Sequence, residues 1–274
     1  MEIFSAQQKN CRTRRIATVG MFDGVHLGHR HLLRSLIEEG DRRGLAPMAV
    51  TFSCHPMRTI APSRPVPPAV STLAERILML ESTGLAECLI LDFDRQLMKM
   101  SAREFLCMLR DDFGVCAFLT GFNNRFGCDT SLTFNDYRDI AHEEDIELLC
   151  ATQFDNGYHD CVISSSAIRE LIGTRGDVTE AAMMLGRPFS LSGKVIHGRA
   201  IGRTIGFPTA NILPDSTDKL IPLNGVYACQ AILQEQESET FPAMVNIGDR
   251  PTFDDSRERS IEAHIIGLDR DIYG

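Results

Sequence analysis

Short apolar runs alternate with amphipathic stretches through the first half of the chain. The runs predict parallel strands at residues 16–19, 48–52, 88–93, 115–120 and 146–151. Between them, apolar residues recur at helical spacing, and Ser101 and Glu104 have the spacing of a capping box that starts a helix. This β-α-β rhythm predicts an α/β fold built on a doubly wound parallel sheet.

The pattern changes after a predicted helix that begins with a second capping box, Asp177 and Glu180, and ends at Gly186. From there, short strands are interrupted by Gly, Pro and Asn, and we place them at residues 189–196, 226–233, 241–247 and 260–266. We therefore predict two domains, 1–187 and 188–274, of which the second is an antiparallel β-barrel.

Composition restricts the class of protein further. The chain has 274 residues, is 43% apolar and carries a net charge of −9, with its basic residues dispersed. No apolar run approaches the length of about 18 residues that spans a membrane, and the N-terminus does not read as a signal peptide. Nine scattered cysteines without a C-x-x-C pair favour reduced thiols. We expect a soluble cytoplasmic protein that binds neither nucleic acid nor membrane.

The stretch 18–31 reads T-V-G-M-F-D-G-V-H-L-G-H-R-H, which is a strand, a glycine-rich turn and the start of a helix. Glycines let the backbone approach a ligand closely, and a helix N-terminus attracts anions. Two imidazoles three residues apart could donate hydrogen bonds to phosphate oxygens. The alternative is that these are surface or helix-capping histidines, but the glycines favour a phosphate site. Its candidate residues are Gly20, Phe22, Gly24, His26, Gly28 and His29.

Three further motifs follow strand ends in the first half. His55 precedes a proline after the second strand, and Asn123 and Arg125 lie in G-F-N-N-R-F-G after the fourth. These three are candidates for flavin or nucleotide binding. The amides and guanidinium after the fourth strand could hold a phosphate or read a base edge, and an ordinary turn is the alternative interpretation. The string I-S-S-S-A-I-R places hydroxyls at a helix start and an arginine one turn later, which indicates either a second anion site or a simple N-cap. Its candidates are Ser164, Ser165 and Arg169.

The second half contains G-K-V-I-H-G-R-A-I-G-R-T-I-G-F-P-T-A-N from residue 193 to 211. Its glycines could wrap backbone amides around phosphates, although a glycine-rich hairpin is the alternative. Thr209 and Asn211 offer the hard oxygen ligands that Mg²⁺ accepts. Further on, Glu262 alternates with apolar neighbours and could take a proton from an alcohol, unless it is merely a solvated strand residue.

In this order, the strings G-M-F-D-G-V-H-L-G-H, H-P, G-F-N-N-R-F-G and I-S-S-S-A-I-R resemble the FMN adenylyltransferase module of the bacterial bifunctional riboflavin kinase/FAD synthetase family. The resemblance implies a nucleotidyltransferase fold in which His26 and His29 contact ATP phosphates. It also implies that Ser164, Ser165 and Arg169 form a flexible phosphate loop, and that Asn123 lies near the nucleotide and metal.

The downstream string G-R-A-I-G-R-T-I-G-F-P-T-A-N resembles the riboflavin kinase signature of the same family, as do later segments around residues 225–227, 246–252 and 260–264. The resemblance implies that Glu262 is the catalytic base, that Thr209 and Asn211 hold Mg²⁺, and that the glycine-rich loop binds ATP phosphates through Gly198, Gly202, Arg203 and Gly206. Family members run past the Y-G at 273–274, so we expect a C-terminally short kinase half. It would be weak or inactive if the chain ends there, and an incomplete sequence is the alternative explanation of the same ending.

The resemblance implies FAD biosynthesis with ATP and Mg²⁺: phosphorylation of riboflavin to FMN, then adenylylation of FMN to FAD with release of pyrophosphate. Two alternatives stay open at this point. Only the adenylyltransferase half could be active, or the chain could be a flavin- or nucleotide-binding protein without turnover. The sequence leaves the oligomeric state open.

Overall fold

The computed structural model describes residues 1–121, 125–129, 131–154, 163–197, 208–234, 239–251 and 257–274. These residues divide into two compact units. The first, here the N-terminal unit, comprises Met1–Pro67 and Ser71–Ser165, and the second, the C-terminal unit, comprises Pro68–Val70 and Ser166–Gly274. The domain boundary near residue 187 stays a prediction.

The N-terminal unit alternates strands and helices as the hydrophobic pattern predicts. Its strands are β1 (Glu2–Ser5), β2 (Arg15–Val19), β3 (Ala46–Phe52), β4 (Glu87–Leu91), β5 (Val115–Thr120) and β6 (Glu147–Cys150). Its helices are α1 (Leu27–Arg43), α2 (Met57–Ile60), α3 (Leu73–Glu81), α4 (Arg95–Lys99), α5 (Ala102–Phe113) and α6 (Phe134–Glu143). Both hydrogen bonds of the capping box predicted at Ser101 and Glu104 are present at the start of α5.

The six strands form one parallel sheet in the order β1-β4-β3-β2-β5-β6. Each face of the sheet has its own buried cluster. One joins β2–β5 to α5 and α6, and the other joins them to α1 and α3 through residues such as Leu33, Leu36 and Leu80. Helices therefore cover both faces, which confirms the predicted doubly wound architecture.

Strand β1 is the element of this sheet that the sequence pattern does not predict. It has four residues and pairs with the edge of β4, so that Phe4 is buried while Ile3 is 43% exposed. A short edge strand lacks the continuous apolar run that marks the central strands of a parallel sheet. Its pairing depends on the exposed edge of β4, which local sequence does not encode.

A buried ion pair joins the central strand to β4. Arg15 and Glu87 are 1% and 8% exposed, and Arg15 Nε donates to Glu87 Oε2 at 2.6 Å. Arg15 Nη1 also donates to the Phe113 carbonyl at 2.8 Å, and the guanidinium lies 5.1 Å from the Phe4 ring centroid. A charge removed from water in this way is stable only while these partners remain.

We expect Glu87→Gln to lower the free energy of unfolding by about 3 kcal/mol, because it leaves the Arg15 charge buried and uncompensated. The matched control is Asp112→Asn at the more exposed Lys9–Asp112 pair, with an N–O distance of 2.9 Å, where the loss should stay below about 1 kcal/mol. Urea unfolding followed by circular dichroism measures both values. Equal losses in the two variants would contradict the role given to burial.

The C-terminal unit begins with helical elements and continues as an antiparallel sheet. Helix α7 (Ser165–Glu170), whose first residue belongs to the N-terminal unit, passes into a π-helical turn (Leu171–Arg175). It is followed by α8 (Val178–Leu185), where Asp177 caps the helix as predicted and Gly186 ends it with φ 70°. The strands are β7 (Gly193–Ile196), β8 (Ala210–Pro214), β9 (Gly225–Leu233), β10 (Glu239–Pro251) and β11 (Arg257–Ile265).

The order of these five strands is β7-β8-β11-β10-β9, and each neighbouring pair is antiparallel. Its buried side is small and includes Ala243, Ala263 and Ile265. The antiparallel architecture is the one predicted for the second half. Strand β8 was not predicted as a strand, because its first two residues belong to the glycine- and proline-containing motif that ends at Asn211 and it ends at Pro214.

Each cysteine in the described ranges is a free thiol. No helix among these residues is both long enough and apolar enough to cross a membrane. Within the same ranges, no group of three or more His, Cys, Asp and Glu side chains has the arrangement of a metal site.

Candidate active sites

The glycine-rich stretch lies at the point where the parallel sheet reverses its strand order. β2 is hydrogen-bonded to β3 on one side and to β5 on the other. Gly20 continues directly from β2, and its N–H donates to the Val50 carbonyl at 3.0 Å. In doubly wound sheets, ligands bind beyond the carboxyl ends of the strands at such a switch point. The loop 20–26 therefore occupies the position where a ligand is expected.

This loop has an unusual backbone. Phe22 and Val25 adopt φ values of 49° and 38°, and Gly24 has φ 79°. Non-glycine residues rarely adopt this left-handed region, so other contacts must hold the loop in place. Gly28 has a different role, because an added Cβ would lie 3.3 Å from the His26 ring. The glycine here keeps space beside that imidazole.

The two histidines of the motif form a stacked pair at the start of α1. Their ring centroids are 3.6 Å apart with an interplanar angle of 15°, and the Phe22 ring lies edge-on to His29 at 5.3 Å. His26 is the N-cap of α1, and its Nδ1 accepts from the His29 backbone N–H at 3.3 Å. The capping interpretation therefore holds for Nδ1 of His26. A neutral His26 then carries its proton on Nε2.

His29 is held uncharged by its surroundings. Burial, the neighbouring His26 and the cationic Arg76 all lower the pKa of His29 well below 6.5, in that order of importance. Its Nδ1 is buried without a hydrogen-bond partner in the described part of the chain. A neutral imidazole at a helix N-terminus can still donate one hydrogen bond to an anionic oxygen.

This pKa shift predicts an acid-sensitive N-terminal unit. The folded chain binds fewer protons at His29 than the unfolded chain does, so stability falls as pH drops below 6.5, the ordinary pKa of histidine. One proton contributes at most about 1.4 kcal/mol per pH unit. Urea unfolding between pH 7.5 and 5.5 should show a shallower pH dependence for His29→Gln than for wild type. Equal slopes would mean that His29 does not titrate differently on folding.

One serine of I-S-S-S-A-I-R, Ser165, contacts the loop, whereas Arg169 belongs to the other unit. Ser165 Oγ donates to the Asp23 carbonyl at 2.8 Å, and Ser164 is half-buried one residue earlier. Arg169 Nε donates to the Pro68 carbonyl at 2.9 Å within the C-terminal unit. There it lines a cavity of about 430 Å³, together with Lys219 and other residues. The joint phosphate loop implied for these three residues stays a prediction.

The other candidates of the first half have local roles or lie outside the described ranges. His55 Nδ1 accepts from the Met57 backbone N–H at 3.2 Å, at the start of α2. Arg125 is exposed. Asn123 lies outside the described residues, so its predicted place near the nucleotide is untested.

Sequence reasoning missed buried polar residues in and around the loop, among them Asp23 within it and Ser71 and Arg76 outside it. They are 2%, 3% and 2% exposed, respectively. Asp23 Oδ1 accepts from the Ser71 N–H at 2.8 Å, and Arg76 Nη1 donates to the Met21 carbonyl at 2.9 Å. One signal was available, since Arg76 occupies the apolar stripe of α3, three residues after Leu73.

The second candidate site is a row of polar residues across the antiparallel sheet. Glu262 on β11 pairs in register with Asn211 on β8 and with Asn246 on β10. Cross-strand partners have Cβ atoms about 5 Å apart and share one face of the sheet. The row ends in two exposed apolar residues, Ile196 on β7 and Val226 on β9. A carboxylate flanked by two amides thus lies beside apolar surface.

The F-P-T-A-N segment is tied to the same part of β11. His264 Nδ1 lies 2.9 Å from the Pro208 carbonyl, two residues beyond Glu262. Thr209 follows Pro208 directly and is half-buried, and Asn211 is 8% exposed. Asn246 is the residue that sequence reasoning did not select here. Four predicted phosphate-binding residues lie outside the described residues: Gly198, Gly202, Arg203 and Gly206.

Comparison with known proteins finds a matching family for each half of the chain. Residues 8–167 match the family model described as FAD synthetase, and residues 185–274 match the model described as riboflavin kinase. The chain is 33% identical to the bifunctional riboflavin kinase/FMN adenylyltransferase of Escherichia coli K12, over 98% of this chain and 82% of the relative. It is 30% identical to the protein of the same name from Bacillus subtilis, over 97% and 82%.

Among solved structures, one described as a macrolide-efflux protein from Streptococcus pneumoniae superposes with a TM-score of 0.87 and 30% identity. The match covers all of this chain and 88% of that one. The fold and the family models define a two-part enzyme with a nucleotidyltransferase-like α/β half and an antiparallel β half. The chain belongs to the family of bifunctional riboflavin kinases/FMN adenylyltransferases.

Proposed function

We propose that this chain makes FAD from riboflavin in two ATP-dependent steps, each at one of the two sites. In the first, the 5′-hydroxyl oxygen of riboflavin attacks the γ-phosphorus of ATP, ADP leaves and FMN forms. In the second, a phosphate oxygen of FMN attacks the α-phosphorus of another ATP, and pyrophosphate leaves. We also propose that the protein acts in the cytoplasm, and that its partners are these small molecules rather than nucleic acid or membrane.

The observation that carries the adenylyltransferase proposal is the stacked His26–His29 pair at the switch point of the sheet, at the start of a 17-residue helix. Transfer of AMP needs charge stabilisation on the phosphates more than a nucleophile from the protein. The pair offers hydrogen-bond donors at a helix N-terminus, where an anion is favoured. We assign His26 and His29 to the ATP phosphates, with Ser164, Ser165 and Arg169 completing their binding.

The kinase proposal rests on the row of Asn211, Glu262 and Asn246. We assign Glu262 as the base that accepts the proton of the riboflavin hydroxyl, since it is the carboxylate of that row. Thr209 and Asn211 present a hydroxyl and an amide oxygen beside it, and such oxygen donors suit Mg²⁺. When bound, Mg²⁺ would neutralise phosphate charge there. The glycine-rich segment with its Arg203 would complete the ATP site.

The test is an assay of the full chain with its products separated by chromatography. Riboflavin with ATP and Mg²⁺ should give FMN and then FAD, and FMN with ATP and Mg²⁺ should give FAD and pyrophosphate. Omitting ATP or adding EDTA should stop both steps. If the chain makes FAD from FMN but no FMN from riboflavin, the kinase proposal fails and only the adenylyltransferase proposal stands. Flavin binding without either product would overturn the catalytic proposal.

A further inference from the structure

Helix α3 buries a cation on the side that faces the sheet. Arg76 is 2% exposed, and its helix packs on the sheet through residues such as Leu80, which is fully buried. A guanidinium in apolar surroundings is costly unless its hydrogen bonds are made within the protein. The partners that Arg76 has found therefore indicate what it does.

Those partners are backbone carbonyls at the ends of two neighbouring strands. Arg76 Nη1 donates to the Met21 carbonyl at 2.9 Å, and Nη2 donates to the Phe52 carbonyl. Met21 is the second residue after β2, and Phe52 is the last of β3. One rigid planar group thus joins the glycine-rich loop to the adjacent strand, which a flexible lysine would do less well.

Ser71, just before α3, adds a second attachment to the same loop. Its N–H donates to Asp23 Oδ1 at 2.8 Å, and its hydroxyl accepts from the Gly24 N–H at 2.8 Å. All three residues are buried. Thr72 then starts α3 with a complete capping box, which fixes the segment that carries Ser71 to the helix that carries Arg76.

The loop that these contacts reach has a strained backbone and depends on them to keep its conformation. Between the contacts at Met21 and those at Asp23 and Gly24 lies Phe22 with φ 49°, and Val25 with φ 38° immediately precedes the histidine motif. Such backbone conformations cost about 1–3 kcal/mol each and persist only when the surroundings impose them. Without the outside contacts, the loop should relax and carry His26 and His29 away from their places.

We propose that Arg76 and Ser71 are positioning residues for adenylyl transfer, which hold the strained loop so that His26 and His29 meet the phosphates of ATP. This inference rests on the proposed function of the N-terminal unit. Neither residue needs to touch the nucleotide. Their effect should appear in the chemical step rather than in ATP binding, because small displacements of groups that stabilise a transition state mainly lower kcat.

The experiment compares Arg76→Gln, Arg76→Lys and Ser71→Ala with wild type in steady-state assays of FAD formation from FMN. We expect kcat to fall about 30-fold in Arg76→Gln and about tenfold in Ser71→Ala, with KM for ATP changed less than about threefold. Arg76→Lys should recover part of the loss, because an ammonium can donate to the same carbonyls. Leu78→Ala, on the 66% exposed position of the same helix, is the matched control and should behave as wild type.

Riboflavin phosphorylation by the same preparations separates positioning from general unfolding, since it should stay at the wild-type rate in every variant. If circular dichroism shows that Arg76→Gln is unfolded, the test depends on Arg76→Lys and Ser71→Ala. Wild-type kcat for FAD formation in these variants would overturn the inference, as would equal losses of both activities. A wild-type chain that makes no FAD from FMN would instead overturn the proposed function.

Discussion

Replacing His29 with alanine should lower the rate of FAD formation from FMN by roughly 100- to 1,000-fold, the effect of removing a preorganised donor to a developing anion. His29 stacks on His26 with ring centroids 3.6 Å apart, and burial keeps its pKa low enough for the ring to be neutral. In its proposed role, His29 is therefore in place before ATP arrives, and its donor needs no reorganisation during the reaction. We place the effect in kcat more than in KM for that reason.

The measurement is FAD formation from FMN and ATP by the full chain, with riboflavin phosphorylation followed in parallel. His31→Ala is the matched control. It removes an imidazole from the same helix, two residues further on, where Nε2 lies 3.0 Å from the Thr152 carbonyl. The control should keep both activities, and His29→Ala should keep phosphorylation. Loss of both activities in His29→Ala would show that the two sites are not independent.

The sequence alone predicts the N-terminal fold well, because each central strand is a continuous apolar run between helices of amphipathic period. Strand β5 occupies the predicted residues 115–120, and β2 extends the predicted 16–19 by one residue. The sequence pattern predicts neither the edge strand β1 nor the strand β8. Both are short. In the described part of the chain, β1 pairs only with β4, which is distant in sequence, and β8 divides its pairing between β7 and the distant β11, which local pattern does not report.

The sequence likewise predicts only part of the candidate site in the N-terminal unit. The motif selected His26 and His29 as candidates, since glycines and histidines near a helix start are visible in the sequence. It did not identify Ser71 and Arg76, which lie more than 40 residues away and reach the loop only through the packing of α3 on the sheet. An arginine within an apolar helical stripe is a signal for such contacts. It indicates that buried polar partners exist but does not name them.

The candidate kinase site is also only partly predictable from the sequence, and it carries the second prediction with a large expected effect. Glu262 alternates with Ile261 and Ala263, which are buried, so the sequence places its side chain on the opposite face. Only the register reveals that Asn211 and Asn246 flank it on both neighbouring strands. Amides can orient a hydroxyl but cannot accept its proton at neutral pH. The carboxylate is therefore the group of this row that can act as the base.

We expect Glu262→Gln to lower kcat for riboflavin phosphorylation by about 100- to 10,000-fold, the range for loss of a general base, with KM for riboflavin little changed because glutamine keeps the shape of the side chain. FAD formation from FMN should continue at the wild-type rate. Glu239→Gln is the matched control, since that carboxylate lies on β10 in an exposed pair with Arg270 and should be dispensable. If Glu262→Gln phosphorylates riboflavin as fast as wild type, the proton leaves by another route and the row does not supply the base.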